Sequence, residues 1–267
     1  LDVASGGVVW ANTNLHIMHE NGPGSSPVIV GDLLLFHLDG SDSQSIAALD
    51  KKTGRLVWRT NRSGKMNDHP QLKKSYGTPL ILTLNGKEQI ISPASDWIYG
   101  YDEQGKELWR VKYGLLGFSL TPRPVVGHGM IYMSTGFMKA QILALKYQGL
   151  AKPEIAWRYE KGAPTMPSPL LVGEELYFVN DGGILTCVDA KTGKLIPGLA
   201  SSWSIEPDGT TFRVKLRDAE FHNGFGPVRA EDVKFGYEQV ILPDSVHGQQ
   251  PYFKQNVKAV EVVGEKE

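Results

Sequence analysis

A single cysteine, Cys187, is all the thiol this chain carries, which excludes an intrachain disulfide and a C-x-x-C redox pair. Beside Thr186 in an apolar run it reads as a small core residue rather than a reactive thiol. No apolar stretch reaches the length of a membrane span. Charge of one sign is also missing: 28 Lys and Arg stand against 29 Asp and Glu, a net charge of −1. That balance removes the electrostatic case for nucleic acid or an anionic membrane surface as partner. No Gly-rich phosphate loop and no Ser/His/Asp signature is present. Leu1 to Gly7 have neither a charged n-region nor an apolar h-region, so no export signal is expected within these residues.

What is abundant is turn chemistry. Thirty glycines and sixteen prolines in 267 residues suit many short strands. Two ladders run through the first three-quarters of the chain. Trp10, Trp58, Trp109 and Trp157 recur at roughly fifty residues, the period of a four-stranded blade. In step with them come Ser26-Pro27, Thr78-Pro79, Arg123-Pro124 and Ser168-Pro169.

Each unit has one anatomy. After the proline comes an apolar strand, then a tight turn: Val30-Gly31-Asp32, Asn85-Gly86-Lys87, Val126-Gly127-His128 or Val172-Gly173-Glu174. Glycine supplies the positive φ expected there. A second strand follows, then a polar loop and a third strand. Asp50-Lys51-Lys52-Thr53-Gly54, Asp102-Glu103-Gln104-Gly105 and Asp189-Ala190-Lys191-Thr192-Gly193 lead out of the third strand. In such turns Asp caps the backbone and Gly takes the left-handed position. The fourth strand carries the tryptophan. The third copy departs, with Leu145-Lys146-Tyr147 where Asp is expected and a longer loop through Lys152-Pro153.

Four short antiparallel strands per unit predict a mainly β fold, a partial or four-bladed β-propeller followed by a small α+β segment. The A-x-D-x-x-T-G-x-x-x-W pattern resembles the pyrroloquinoline-quinone-like propeller family over about residues 7–194. That family includes quinoprotein dehydrogenases and the propeller lipoprotein of the outer-membrane barrel assembly machinery. The resemblance implies that the indoles pack between neighbouring blades. Three complete blades are expected, at about 26–62, 76–113 and 123–160. Two partial pieces flank them: Val8-Val9-Trp10 is a fourth strand without its blade, and 167–194 is a blade without its fourth strand. These remnants either pair to close a ring of four or leave an open arc; the open arc is the expectation.

Pro197 stands where the next tryptophan belongs, and proline cannot donate to a central ladder. The expected domains are therefore 1–194 and 195–267. The second begins Pro197-Gly198-Leu199-Ala200-Ser201-Ser202-Trp203 and continues with Asp208-Gly209 before an alternating strand through Leu216. Phe221-His222-Asn223-Gly224 and Ala230-Glu231-Asp232-Val233 follow, the latter opening a helix with Ala230, Val233, Tyr237, Val240 and Ile241 on one face. This order resembles the N-terminal lobe of family-5 extracellular solute-binding proteins, the receptors of ABC importers. Arg229 replaces the hydroxyl cap of that motif, and Gly236 weakens the helix centre. A whole receptor closes two lobes around its ligand; these residues supply part of one.

Catalytic, cofactor-binding and metal-binding residues are each expected to be none, and no cofactor is expected. Asp96 and Asp181 read as turn acids. His16 and His19 have ligand-like spacing but lie in an inter-blade connection, and Asp68-His69 and Phe221-His222 point to nothing stronger. A quinoprotein would need a calcium site and often a cysteine pair, and Cys187 is alone. The expected function is thus non-enzymatic: a propeller scaffold binding protein partners through blade loops or open blade faces, extracytoplasmic, in the periplasm or cell envelope. The alternatives are a peptide- or solute-binding importer component, a quinoprotein-like oxidoreductase relic, or a partial or chimeric chain of two families without autonomous function.

Overall fold

The computed structural model describes residues 1–114, 117–248 and 250–267. The chain falls into two compact units, Leu1–Leu195 and Ile196–Glu267. The first is an up-and-down series of antiparallel sheets. Blade 1 is β1 (Val28–Val30), β2 (Leu33–Asp39), β3 (Gln44–Asp50) and β4 (Leu56–Asn61). Blade 2 is β5 (Leu80–Leu84), β6 (Lys87–Ala94), β7 (Trp97–Tyr101) and β8 (Glu107–Lys112). Blade 3 is β9 (Val125–Gly127), β10 (Met130–Ser134), β11 (Ile142–Lys146) and β12 (Glu154–Tyr159). Blade 4 has three strands, β13 (Leu170–Val172), β14 (Glu175–Val179) and β15 (Leu185–Asp189). Within each blade the strands pair in chain order.

Most of the turns form as their residues dictate. Asn85 and Gly86 both take positive φ, 51° and 74°, the geometry a two-residue hairpin loop requires. The third blade corrects the sequence expectation by one residue. Its positive φ values fall on His128 and Gly129, while Gly127 ends β9 in the ladder. Gly127 is needed there for space: a Cβ would lie 2.2 Å from Leu171 Cδ2 of the next blade.

Three apolar clusters fill the gaps between blades. Val30, Leu35, Ile46 and Ala48 meet Ile90, Ala94, Tyr99 and Tyr101 between blades 1 and 2. Ile91, Ile98 and Val111 meet Ile131, Met133, Leu143 and Leu145 between blades 2 and 3. Tyr132, Ile142 and Ala144 meet Leu176, Phe178 and Val188 between blades 3 and 4. Each large side chain so buried contributes about 1.5–3 kcal/mol.

The tryptophans tie these layers together at the turn end. Trp58 of blade 1 donates its indole N–H to Glu103 O at 2.9 Å and lies against Gly105 of blade 2. Trp157 of blade 3 donates to Ala190 O at 3.0 Å and lies against Gly193 of blade 4. Trp10, which belongs to no strand, makes the same contact with blade 1: its N–H reaches Lys51 O at 3.0 Å and its ring covers Gly54. Thr60 and Asn12, two residues after their tryptophans, bond Gly105 O and Gly54 O at 2.6 and 2.7 Å.

Trp109 is the exception. It is buried, yet among the described residues its indole nitrogen has no hydrogen-bond partner. The facing loop of blade 3 lacks the Asp of the others, its Gly149 has nothing near its Cβ, and Tyr147 packs beside the cluster instead.

The blade ends at the seam. Leu195 makes one isolated bridge with Val188, and the strand that follows, β16 (Ala200–Ile205), pairs with β17 (Phe212–Leu216), not with β15. Residues 8–10 form no strand and no ladder with β15, so the arc is open rather than a ring of four.

In the second unit the β16–β17 hairpin is followed by α1 (Ala230–Ile241) and α2 (Gln250–Asn256). With Arg229 unable to accept, the α1 start is closed from the other side: Asp232 Oδ2 accepts from the Arg229 amide at 2.7 Å. Among its described residues only Ala230 is buried. Trp203, Phe212, Phe225, Phe235 and Tyr252 are all exposed.

If the indole sets the glycine requirement, two glycines of similar φ should behave differently. Gly86→Ala, at φ 74° with nothing near its Cβ, is expected to lose about 1–2 kcal/mol for the left-handed backbone alone. Gly105→Ala, at φ 78° with a Cβ 2.5 Å from the Trp58 ring, should lose about 1–3 kcal/mol more. Urea unfolding midpoints at matched slope measure the difference; equal losses would dissociate the glycine from the indole.

Candidate functional site at the connector end of the blades

Antiparallel order sorts the loops. The turns after each first and third strand lie at one end of the blades. The loops after each second strand and the connectors between blades lie at the other. The connector end gathers the polar side chains that strand patterning leaves unexplained.

Between blades 1 and 2 this end holds a buried charged network. Arg62, just past β4, forms a two-pronged pair with Asp39 at the end of β2: Nε to Oδ1 at 3.0 Å and Nη2 to Oδ2 at 2.8 Å. Both side chains are out of water, at 1% and 0% exposure. Arg62 Nη1 also donates to Ser92 Oγ at 2.6 Å, and its guanidinium lies 5.1 Å from the centre of the Tyr99 ring. Ser92 Oγ sits 2.8 Å from His37 Nε2. Arg62 donates to the hydroxyl oxygen, and a neutral His37 ring can accept the Ser92 proton at Nε2.

The electrostatics agree. Burial, and then the Arg62 charge, hold His37 well below the ordinary histidine value. Burial opposes the charge on Arg62, but the Asp39 carboxylate more than restores it, leaving its pKa above the ordinary value. A serine–histidine contact of this kind has the distances of a nucleophile pair. Here the carboxylate serves the arginine, Ser92 is wholly buried, and the set acts as a lock between blades.

The rim over blades 2 to 4 is stitched loop to loop. Gly117 N donates to Asp96 Oδ1 at 2.8 Å, and the Tyr113 hydroxyl lies 2.6 and 2.8 Å from Ala94 O and Gly117 O, which share its proton. Phe137 N donates to Phe118 O at 2.8 Å, and their rings meet edge-on at 6.3 Å. Thr121 Oγ1 lies 3.2 Å from both Thr165 O and Met166 O. Thr165 is in turn held by Asp181, whose Oδ2 accepts from its hydroxyl at 2.7 Å and its amide at 3.2 Å. Ser134 reaches Pro164 O. On this fastened backbone Phe137, Met138 and Met166 point into solvent, each more than half exposed. Fixed apolar tips on a polar rim suit contact with another protein.

The remaining sequence candidates are not brought together. Asp96 holds a left-handed turn at φ 60° and clamps Gly117 across the connector, with burial pushing its carboxyl above the usual range. Asp181 clasps Thr165. His16 is exposed, whereas His19 stacks on Tyr76 at 4.8 Å. His69 precedes a short 3-10 turn at Pro70–Lys73, and His222 is exposed in the second unit. Cys187 corrects its expectation: it is half-buried rather than core, because it lies on the face of blade 4 that no further blade covers. Among the described residues no three His, Cys, Asp or Glu side chains assemble as a metal-binding group. The Arg62–Asp39 lock was missed. Its trace is in β2, where His37 and Asp39 interrupt an otherwise apolar run.

Two substitutions test the lock. Arg62→Met strands the Asp39 carboxylate in a dry site and should cost about 3–5 kcal/mol by denaturant unfolding. His37, neutral when folded but free to protonate when unfolded, gives stability that is complete above pH about 6.5 and is lost as pH falls below it. Wild type should therefore lose up to about 1.4 kcal/mol per pH unit more than His37→Gln below that point; identical pH profiles would contradict the assignment.

Two family descriptions match the chain. The family described as "Outer membrane protein assembly factor BamB" matches residues 1–75 and 42–203. The family described as "Bacterial extracellular solute-binding proteins, family 5 Middle" matches residues 194–267. The two matches overlap at 194–203, across the seam. The outer membrane protein assembly factor BamB of Burkholderia pseudomallei (strain K96243) is 27% identical over 160 residues, 60% of this chain and 35% of that protein. The chain thus spans about a third of the length of this curated relative. Among solved structures, the quinohemoprotein alcohol dehydrogenase from Comamonas testosteroni aligns with a TM-score of 0.51 at 14% identity, over 82% of this chain and 40% of that one. BamB from Moraxella catarrhalis aligns at 0.47 and 18% identity, over 63% and 46%. At 14% identity the likeness to the dehydrogenase is one of fold.

Proposed function

Through residues 1–203 the chain belongs to the outer membrane protein assembly factor BamB family, and we propose that its blades act as a non-catalytic scaffold for protein partners in the bacterial cell envelope. The observation that carries this reading is the connector rim. Its backbone is fastened by hydrogen bonds running between loops of blades 2, 3 and 4, while Phe137, Met138 and Met166 stand clear of it. A surface fixed in this way loses little conformational freedom on binding, so its apolar tips contribute most of their burial to affinity. The polar groups between blades 1 and 2 at the same end are committed to one another. Ser92, His37, Asp39 and Arg62 bond within the lock and are closed to solvent, which favours scaffolding over catalysis.

Residues 195–267 are read as a family-5 solute-binding-protein lobe fragment, joined to the propeller residues 1–194 as a chimera of two families. Support comes from the position of the second family match and from the near absence of buried side chains in that unit. A peptide ligand would need walls that these residues do not supply. The assembly partner and the extracytoplasmic placement rest on kinship with the assembly factors.

A photo-reactive residue placed at Phe137 should cross-link to envelope proteins of the outer-membrane assembly machinery, identified by mass spectrometry. The same group at Lys52, in a turn at the other end of the blades, should not. The triple variant Phe137→Ser, Met138→Ser, Met166→Ser should abolish partner cross-linking from a probe at neighbouring Lys139 and cost no more than about 2 kcal/mol of stability, since the three side chains are exposed and the Phe118–Phe137 ring contact is the packing lost. Equal cross-linking from both ends would overturn the assignment of the rim.

A further inference from the structure

The six methionines of the chain are sorted by place. Met130 and Met133 lie in the apolar clusters between blades, at 8% and 0% exposure. Met66 is half-buried against the cluster between blades 1 and 2. The other three, Met18, Met138 and Met166, are 66, 60 and 65% exposed. All three stand at the connector end of the blades, and residues 196–267 contain no methionine.

Each exposed thioether hangs from a backbone that is tied down. Met18, in the connection leading to blade 1, accepts from Ser41 N at 2.9 Å and donates its amide to Asp42 Oδ1 at 2.8 Å. Ser41 and Asp42 belong to the loop after β2. Met138 lies in the loop after β10, between two fastened neighbours. The Phe137 amide donates to Phe118 O, and Lys139 O accepts from Thr135 Oγ1 at 3.2 Å. In the connector between blades 3 and 4, Met166 O lies 3.2 Å from Thr121 Oγ1. Met18 thus extends the apolar tips of the rim to blade 1. Unbranched thioethers are adaptable contacts for an apolar partner surface. They are also side chains that an oxidant converts from apolar to polar while the backbone beneath stays as it is.

We propose that Met18, Met138 and Met166 are oxidation sites through which the rim loses its protein partner and, on reduction, regains it. The inference rests on the partner reading of the rim. A hydroperoxide transfers one oxygen atom to each thioether. The S–O bond forms from a sulfur lone pair and the peroxide O–O bond breaks. Sulfur is oxidised by two electrons, and the peroxide remnant takes up the proton and leaves as water or an alcohol. In the reverse direction two thiols reduce the sulfoxide: the oxygen leaves as water and the thiols become a disulfide. The sulfoxide places a strong acceptor where the partner offers apolar surface, so its burial carries a desolvation cost that the thioether lacks. Met130 and Met133 are shielded in the interblade clusters, so the rim responds before the core does.

To test this, the 267-residue chain with a photo-reactive residue at Lys139 is treated with hydrogen peroxide, which catalase then removes. Peptide mass spectrometry should find sulfoxide at Met18, Met138 and Met166 before Met130 and Met133. Cross-linking to the envelope partner should fall about tenfold or more while the thermal transition stays in place. It should return after treatment with the two methionine sulfoxide reductases, one for each sulfoxide epimer. The triple variant Met18→Leu, Met138→Leu, Met166→Leu should cross-link as wild type does and be indifferent to peroxide. That variant keeps Cys187, so a loss through the thiol would persist in it. Three outcomes would overturn this inference alone: oxidation of Met130 or Met133 first, undiminished cross-linking by a chain carrying all three sulfoxides, or a peroxide-induced loss that persists in the leucine variant. An untreated chain that does not cross-link from the rim would overturn the partner reading and this inference with it.

Discussion

An indole laid over a left-handed glycine is the contact on which the first unit depends. Each blade by itself is a four-stranded meander with two apolar faces, and such a sheet is stable only when its faces are covered. The indole fixes how far and at what angle the next blade sits, by a hydrogen bond to a turn carbonyl and by ring contact where any Cβ would intrude. The Asp-x-x-Thr-Gly turn is therefore a receptor for the neighbouring blade as well as a connection. Asp50 and Asp189 each accept from the amide and hydroxyl of the Thr three residues on, which holds the glycine at positive φ. Blade 3 lacks this receptor, and Trp109 is buried with its nitrogen unpaired among the described residues.

At the other end of the blades the fastening is polar. The Arg62–Asp39 pair and its serine and histidine sit at the gap between blades 1 and 2, while the Thr121–Thr165–Asp181 series runs from blade 2 to blade 4. Removing water from the charged pair makes it costly to break and intolerant of one-sided substitution. Two different chemistries thus hold one arc: indole on glycine at the turn end, and buried ions and hydroxyls at the connector end. The second leaves the loop tips free to present Phe137, Met138 and Met166 on a fixed frame.

Much of this was legible from residue spacing. The tryptophan and proline ladders place the strands, and Pro197 marks where the repeat stops, because a missing N–H is a local fact that needs no neighbours. Gly127 was misplaced as a turn glycine, since only the position of Leu171 in the next blade shows why glycine is required in the strand. Cys187 was misjudged because its burial depends on a blade that does not follow. The Arg62 lock joins residues far apart in sequence, and its partners look unremarkable singly; only the polar breaks at His37 and Asp39 in β2 hint at it. The exposed tips of the rim likewise depend on which loops the topology brings to one end.

A double-mutant cycle between Trp58 and Gly105 tests the inter-blade contact most directly. If the indole is what forbids a side chain at that turn, Gly105→Ala should cost much less in a Trp58→Ala background than in wild type. The residual cost should match the penalty of about 1–2 kcal/mol for the left-handed backbone alone. Additive losses, with no coupling between the two positions, would contradict the indole-on-glycine account of how the blades are held together.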